Sequence, residues 1–196
     1  MSSLLKSTRN TRAILEDSFR YIRSDVPSEI TEEEIQWLLQ NNITTVIDLR
    51  TLQEINQKPC PLSVRPEFHY MNIPVTGGNA IPGDPSYVSR SYLNMVDNRM
   101  IEIIQAIEHA PSNVLYFCNA GKDRTGVVSA LLLLRMGKDE GEIITDYMVS
   151  GDNLREILSA FASANPQVDI NVITPHESYI REFLIAIKNN DIVKLR

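Results

Sequence analysis

Apolar and polar positions change period several times along this 196-residue chain. Two short runs, Thr44–Leu49 and Val114–Phe117, are largely apolar, as strands buried on both faces are. Phe68-His69-Tyr70-Met71-Asn72-Ile73 alternates and predicts a further strand. Helical spacing takes over elsewhere. Thr31 and Glu34 form a capping-box pattern that opens a helix through Trp37 and Leu39. Ser86 to Ala110 predicts one long helical stretch, with Tyr92, Val96, Ile103, Ile104 and Ile107 on its apolar face. Helices over Thr125–Met136 and Asp139–Val149 follow, with Gly137 and Gly151 as their stops. Asp152–Ser163 and His176–Lys188 complete a helical second half. Thr51–Asn56 reads as a loop or short helix, and Pro59-Cys60-Pro61, Thr76-Gly77-Gly78 and Ala164-Asn165-Pro166 read as loops. Strands separated by helices predict an α/β fold, a central mostly parallel sheet of about four to five strands flanked by helices. The length suits a single domain over residues 1–196.

Ligands of such sheets gather at the carboxyl ends of the strands, and there the chain places residues 118–125. Cys118 ends a strand, Arg124 opens a helix, and the residues between must curl into a cradle. Gly121 permits a positive φ or a close backbone approach, and small Ala120 keeps the floor open. The amides from Asn119 to Asp123, together with the helix terminus, form a socket for an anion. Arg124 adds a planar fork able to hold two oxygens at once. A cysteine in that position is expected to ionise easily, because the helix end and the arginine favour thiolate. Thr125 is placed to donate a hydrogen bond to the sulfur as phosphate leaves. These are the parts needed for covalent transfer of a phosphoryl group to sulfur.

The segment Cys118-Asn119-Ala120-Gly121-Lys122-Asp123-Arg124-Thr125-Gly126 resembles the phosphate loop of the cysteine-dependent phosphatases. Its Ala-Gly-Lys-Asp-Arg-Thr-Gly is similar to that of bacterial tyrosine phosphatases that also accept phosphoinositides. Tyr21-Ile22-Arg23-Ser24, Thr31-Glu32-Glu33-Glu34, Val46-Ile47-Asp48-Leu49-Arg50 and Ile144-Thr145-Asp146-Tyr147-Met148 follow the order of that family. The likeness spans about residues 19 to 187. It implies a dual-specificity-phosphatase-like architecture, a phosphocysteine intermediate, and neither metal nor cofactor. The implied partner is a phosphorylated protein or a phosphoinositide, met by Asn119, Ala120, Gly121, Lys122, Asp123 and Arg124. Two departures stand out. Phe117 occupies the place of the family's usual His, which implies lower activity or a shifted pH profile. The family's Asn-Phe-Arg-Asp-Leu-Gly-Gly run is not visible around Asn10 to Ile14, which puts the pocket rim in question.

The leaving oxygen needs a proton, and two aspartates compete to supply it. Asp84 lies in the turn-rich Ile81-Pro82-Gly83-Asp84-Pro85. Asp123 lies inside the cradle, where a bound dianion would favour its protonated form, and the resemblance makes it the acid. Asp123 is preferred, with Asp84 kept as the alternative. Lys122 adds a cation that would suit an inositol ring carrying several phosphates. Asp48 and Arg50 read equally as a brace for the cradle or as a strand-end ion pair. His69, His109 and His176 have no metal-ligand spacing and read as surface or packing residues.

Composition narrows the partners. Nineteen basic against 25 acidic side chains give a net charge of −6, the wrong sign for a nucleic-acid binder. An anionic substrate must be captured by local charge at residues 121–126. Two cysteines make no disulfide framework and suit a reducing compartment, and a redox role for Cys60 beside Cys118 depends on geometry. Met1–Asn10 has no signal-peptide core, and Val127–Leu134 is too short to span a bilayer. Cytoplasmic residence without integral membrane association is the expectation, and the sequence does not set the oligomeric state. Two rival readings remain at this stage. One is a catalytically silent phosphate-binding pseudophosphatase, resting on Phe117. The other is a sulfur-transfer or arsenate-reducing enzyme, against which Lys-Asp-Arg-Thr-Gly and the following helix argue.

Overall fold

A computed structural model describes residues 3–189. The chain opens with a hairpin, β1 (Arg12–Leu15) and β2 (Ser18–Asp25), followed by α1 (Glu32–Gln40), β3 (Ile43–Asp48), α2 (Leu52–Gln57) and β4 (His69–Asn72). Two helices, α3 (Val88–Leu93) and α4 (Asn98–Glu108), lead to β5 (Asn113–Cys118). The remainder is helical: α5 (Asp123–Arg135), α6 (Glu140–Ala164), α7 (Ile170–Ile173) and α8 (Glu177–Asn189). The five strands form one sheet in the order β1-β2-β5-β3-β4. The β1–β2 pair is antiparallel, and β2, β5, β3 and β4 run parallel. This is the α/β architecture read from the chain.

β5 lies at the centre and its side chains alternate between two cores. Val114, Tyr116 and Cys118 join the larger core, with Ile103 of α4, Leu131 of α5 and Phe183 of α8. Leu115 and Phe117 join the smaller one on the other face, with Ile35 and Leu38 of α1. Ten residues of α5 are buried, which explains why its sequence is apolar nearly all round. Burial on both faces leaves only the strand ends and loops to carry polar chemistry, and Cys118 stands at such an end.

Three elements differ from the reading of the chain. The hairpin β1–β2 was not anticipated as strands, because Arg12, Arg23 and Ser24 interrupt its apolar pattern. All three are buried, and the partners of Arg12 and Arg23 are described below. The stretch Ser86–Ala110 is not one helix: a 3₁₀ turn at Pro85–Tyr87 precedes α3, and α4 starts afresh after Asp97. The Asp97 carboxylate accepts from the Met100 amide at 3.0 Å, so a local cap outcompetes helical continuation. Gly151 does not stop a helix, since α6 runs unbroken for 25 residues through it. A glycine ends a helix only when it takes the left-handed conformation, and Gly151 does not. The capping box of α1 forms as read, with Thr31 and Glu34 bonded reciprocally. Among the described residues no helix is long and apolar enough to cross a membrane.

Replacing Asp97 by Ala should cost about 1 kcal/mol through loss of the α4 cap, or about 2–4 °C in melting temperature. Thermal unfolding followed by circular dichroism measures this, and an unchanged midpoint would show that the cap does not define the break.

Candidate active site

The loop between β5 and α5 is built from behind. Every carbonyl from residue 119 to 122 is taken by a donor on its outer side. Asn119 O accepts from the Val26 amide at 3.2 Å, and Ala120 O from Asn10 Nδ2 at 3.2 Å. Gly121 O accepts from Asn10 Nδ2 at 2.9 Å and from Arg23 Nη2 at 2.8 Å. Lys122 O accepts from the Gly126 amide at 2.9 Å and from Arg23 Nη2 at 3.4 Å. The amides of residues 119–124 have no acceptor among the described residues. Peptide planes with their carbonyls 119–122 held outside turn the N–H groups of residues 120–123 the other way, the arrangement of an anion nest. Gly121 shows why only glycine serves: its φ is +64°, and a Cβ there would lie 2.4 Å from the Ser24 carbonyl.

The groups that hold these carbonyls are themselves fixed. Asn10 Oδ1 accepts from Arg12 Nη1 at 2.5 Å and Asn153 Nδ2 at 3.2 Å, so its Nδ2 must face the loop. Arg12 and Arg23 share Asp146 of α6, Arg12 through Nε at 2.9 Å and Arg23 through Nη1. Burial works against the Asp146 carboxylate, but the two guanidinium groups hold its pKa below the ordinary value. Burial and the neighbouring Arg23 lower Arg12 to about 10, still charged at neutral pH. Ser150 Oγ receives Asn10 Nδ2 at 3.1 Å and Arg12 Nη2 at 3.0 Å. Asn10 to Ile14 therefore underlies the cradle, where the sequence had put the rim in question.

Cys118 is 3 % exposed at the base of the loop. Arg124, 4 % exposed, is gripped by Glu54 of α2 through Nη1 at 2.8 Å and Nη2 at 2.6 Å. Asn119 Nδ2 donates to the same carboxylate at 2.7 Å. Glu54 also closes the α2 capping box on Thr51. Burial opposes its charge, yet hydrogen bonds from Arg124 and Thr51 bring its pKa down to about 2. Glu54 was missed in the sequence, although Thr51-x-x-Glu54 repeats the capping signature recognised at Thr31-x-x-Glu34. Gly78, read only as part of a turn, packs on the stem of Arg124: its φ is +68°, and a Cβ would come within 2.8 Å of Arg124 Cγ. The Thr125 hydroxyl is buried and meets no partner among the described residues, the sulfur included. The bond anticipated from Thr125 to Cys118 is not made here, and the donor is left uncommitted.

Lys122 Nζ holds both Asp123 oxygens, at 2.7 and 2.6 Å. Lys122 and Asp123 line a cleft with Tyr92, Met95, Ile81 and Ile173. Asp84 does not line that cleft. It caps the 3₁₀ turn, accepting from the Ser86 hydroxyl at 2.6 Å and amide at 2.9 Å, and these bonds lower its pKa. Asp48 and Arg50 form a fully buried ion pair that also takes the Tyr70 hydroxyl at 2.6 Å and does not touch the cradle. Of the two readings, the strand-end ion pair is the one observed. Arg50 lies over the Phe117 ring at 5.3 Å, in the core opposite Cys118. Cys60 belongs to that opposite core, where burial pushes its thiol up to about 12, so the geometry does not support a redox pair with Cys118. His69 and His109 are exposed, His176 stacks edge-on against Tyr179, and no metal-binding cluster occurs among the described residues.

The chain belongs to the tyrosine phosphatase family, whose model matches residues 8–190. A tyrosine-protein phosphatase of Nostoc commune is 28% identical over 152 residues, covering 72% of this chain and 51% of that protein. The triple specificity protein phosphatase PtpB of Mycobacterium tuberculosis is 48% identical over 44 residues, 22% of this chain and 16% of that protein. The chain thus matches about half the length of the first relative and a small part of the second. Among solved structures, P. aeruginosa TpbA has a TM-score of 0.48 at 18% identity, covering 87% of this chain and 91% of that one.

The Glu54 grip carries a sign with pH. Its folded-state value of about 2 lies below the ordinary 4.5, so its stabilisation is full above pH 4.5 and is lost as pH falls toward 2. Glu54→Gln should lower stability at pH 7 and flatten the decline across that acid window. Urea unfolding at a series of pH values checks this, and parallel curves for the two proteins would remove Glu54 as the anchor.

Proposed function

We propose that this protein is a metal-independent phosphomonoester hydrolase, a protein-tyrosine phosphatase that works through a phosphocysteine intermediate. The observation that carries the reading is the loop above Cys118 whose carbonyls 119–122 are held from outside, leaving the amides of residues 120–123 for a ligand, with Arg124 held at its side by Glu54. Membership of the tyrosine phosphatase family supports it, as does the name of the Nostoc relative. Cys118 Sγ, as its anion, attacks phosphorus while the bond from phosphorus to the leaving oxygen breaks. The inward amides and Arg124 stabilise the charge on the three equatorial oxygens. Asp123, beside the cleft, gives its proton to the leaving oxygen; Asp84 is engaged in its own turn. Water then attacks phosphorus, Asp123 takes a proton from it, and the departing sulfur anion is met by the uncommitted Thr125 hydroxyl. The silent-module alternative rested on Phe117, and that ring packs with Arg50 in the core on the face of the sheet opposite Cys118.

Dual-specificity and phosphoinositide use belong to the same reading, and Lys122 is the residue that separates them. Its ammonium group is held by Asp123, so it would have to exchange that carboxylate for a second phosphate. Both described cysteines are free, which suits a reducing, cytoplasmic setting.

Cys118→Ser should abolish hydrolysis of p-nitrophenyl phosphate, with vanadate inhibiting the native protein and EDTA leaving it active; retained turnover in the variant would defeat the assignment. Asp123→Asn should lower kcat/KM about 10²- to 10⁴-fold for substrates with poor leaving groups, whereas Asp84→Asn should stay within about 2-fold. The reverse order would move the acid to Asp84. Lys122→Ala should reduce kcat/KM more for a phosphoinositide than for a phosphotyrosine peptide, and equal losses would remove the lipid substrate.

A further inference from the structure

Two phenols lie behind Asp123, and among the described residues their hydroxyls bond only to each other and to Asp123. Tyr92 Oη donates to Asp123 Oδ1 at 2.7 Å, and Tyr92 Oη and Tyr147 Oη are 2.8 Å apart. The rings are 2 % and 1 % exposed. They meet edge-to-face at 6.2 Å, and Phe183 closes on Tyr92 at 6.4 Å. Counting protons fixes the direction of the chain. An ionised carboxylate only accepts, so the single proton of Tyr92 is committed to Asp123, and Tyr147 must give its own to Tyr92. Oδ1 then has two donors, Tyr92 and Lys122 Nζ, while Oδ2 has Lys122 alone. A proton added to Asp123 goes to the oxygen with fewer donors, which is Oδ2.

We propose that Tyr92, oriented by Tyr147, is a positioning residue that holds the Asp123 carboxyl group so that its transferable proton rides on Oδ2. The inference rests on the assignment of Asp123 as the acid. Lys122 cannot do this work alone, because it is the sequence neighbour of Asp123 at the junction of the loop with α5. Tyr92 is on α3 and Tyr147 on α6, so the phenol pair ties the carboxylate to packed elements outside the loop. The Asp123 side chain is 32% exposed, and without that tie its torsions would be free to turn the acid away from the leaving oxygen.

The test uses the full chain and a series of aryl phosphates whose phenols differ in acidity, read as kcat/KM. Proton donation matters little when p-nitrophenolate leaves and greatly when phenolate or tyrosine leaves. Tyr92→Phe keeps the ring and removes the hydroxyl. It should lower kcat/KM about 5- to 20-fold for phenyl phosphate and a phosphotyrosine peptide, and less than about 2-fold for p-nitrophenyl phosphate. Tyr147→Phe should act in the same direction but less, and the double variant should be no worse than Tyr92→Phe alone. A purely structural role would instead lower all substrates equally, along with the melting temperature, and that result overturns the proposal. So does a flat response of Tyr92→Phe when Asp123→Asn shows the leaving-group-dependent loss. If Asp123→Asn itself shows no such dependence while Cys118→Ser is dead, the acid assignment falls and takes this inference with it. Should Tyr92→Phe fail to fold, Tyr147→Phe carries the same test.

Discussion

Backbone amides converge on one point only if something holds their carbonyls away from it. In this protein that constraint is met by Asn10, Arg23 and the Val26 amide, which take the carbonyls of residues 119–122. Arg23 is buried, and Asp146 offsets part of the charge that it and Arg12 bring, leaving the cluster of three with one net positive charge. Removing one member of such a group strands a buried charge, at a cost of about 3–5 kcal/mol. The hairpin β1–β2 at the sheet edge and the long helix α6 thus support the β5–α5 loop energetically.

Charge is managed locally, which reconciles an acidic protein with the anionic substrate proposed for it. The chain carries −6 overall, yet the loop gathers inward amides, the α5 terminus and Arg124 at one place. Glu54 does not cancel that field so much as aim it. It holds the guanidinium by two nitrogens and leaves other N–H groups of Arg124 for a ligand. On the opposite face, Asp48, Arg50, Tyr70 and Phe117 form a separate buried cluster, so the two faces of the central strands carry independent polar networks.

The parts of the site that were legible in the sequence were those encoded locally. Cys118, Gly121 and Arg124 lie within seven consecutive residues between an apolar strand and an apolar helix, and each type answers a need of that turn. The general α/β arrangement was legible for the same reason, since buried parallel strands and amphipathic helices have short-range periods. What was not legible depends on contacts across the chain. Asn10 reaches Gly121 over 111 positions, and Arg12 reaches Asp146 over 134. Arg12 and Arg23 even obscured their own strands, because residues serving a buried ion cluster break the apolar pattern by which strands are recognised. Glu54 was the exception: its capping signature was present in the sequence, and its second role toward Arg124 was not.

The central claim is tested most directly by trapping the covalent intermediate. The protein is mixed with a ³²P-labelled phosphotyrosine peptide, quenched in denaturant within milliseconds, and mapped by mass spectrometry. The account predicts one phosphate bound through sulfur at Cys118. Rapid release of inorganic phosphate with no label on Cys118 at any quench time would contradict it.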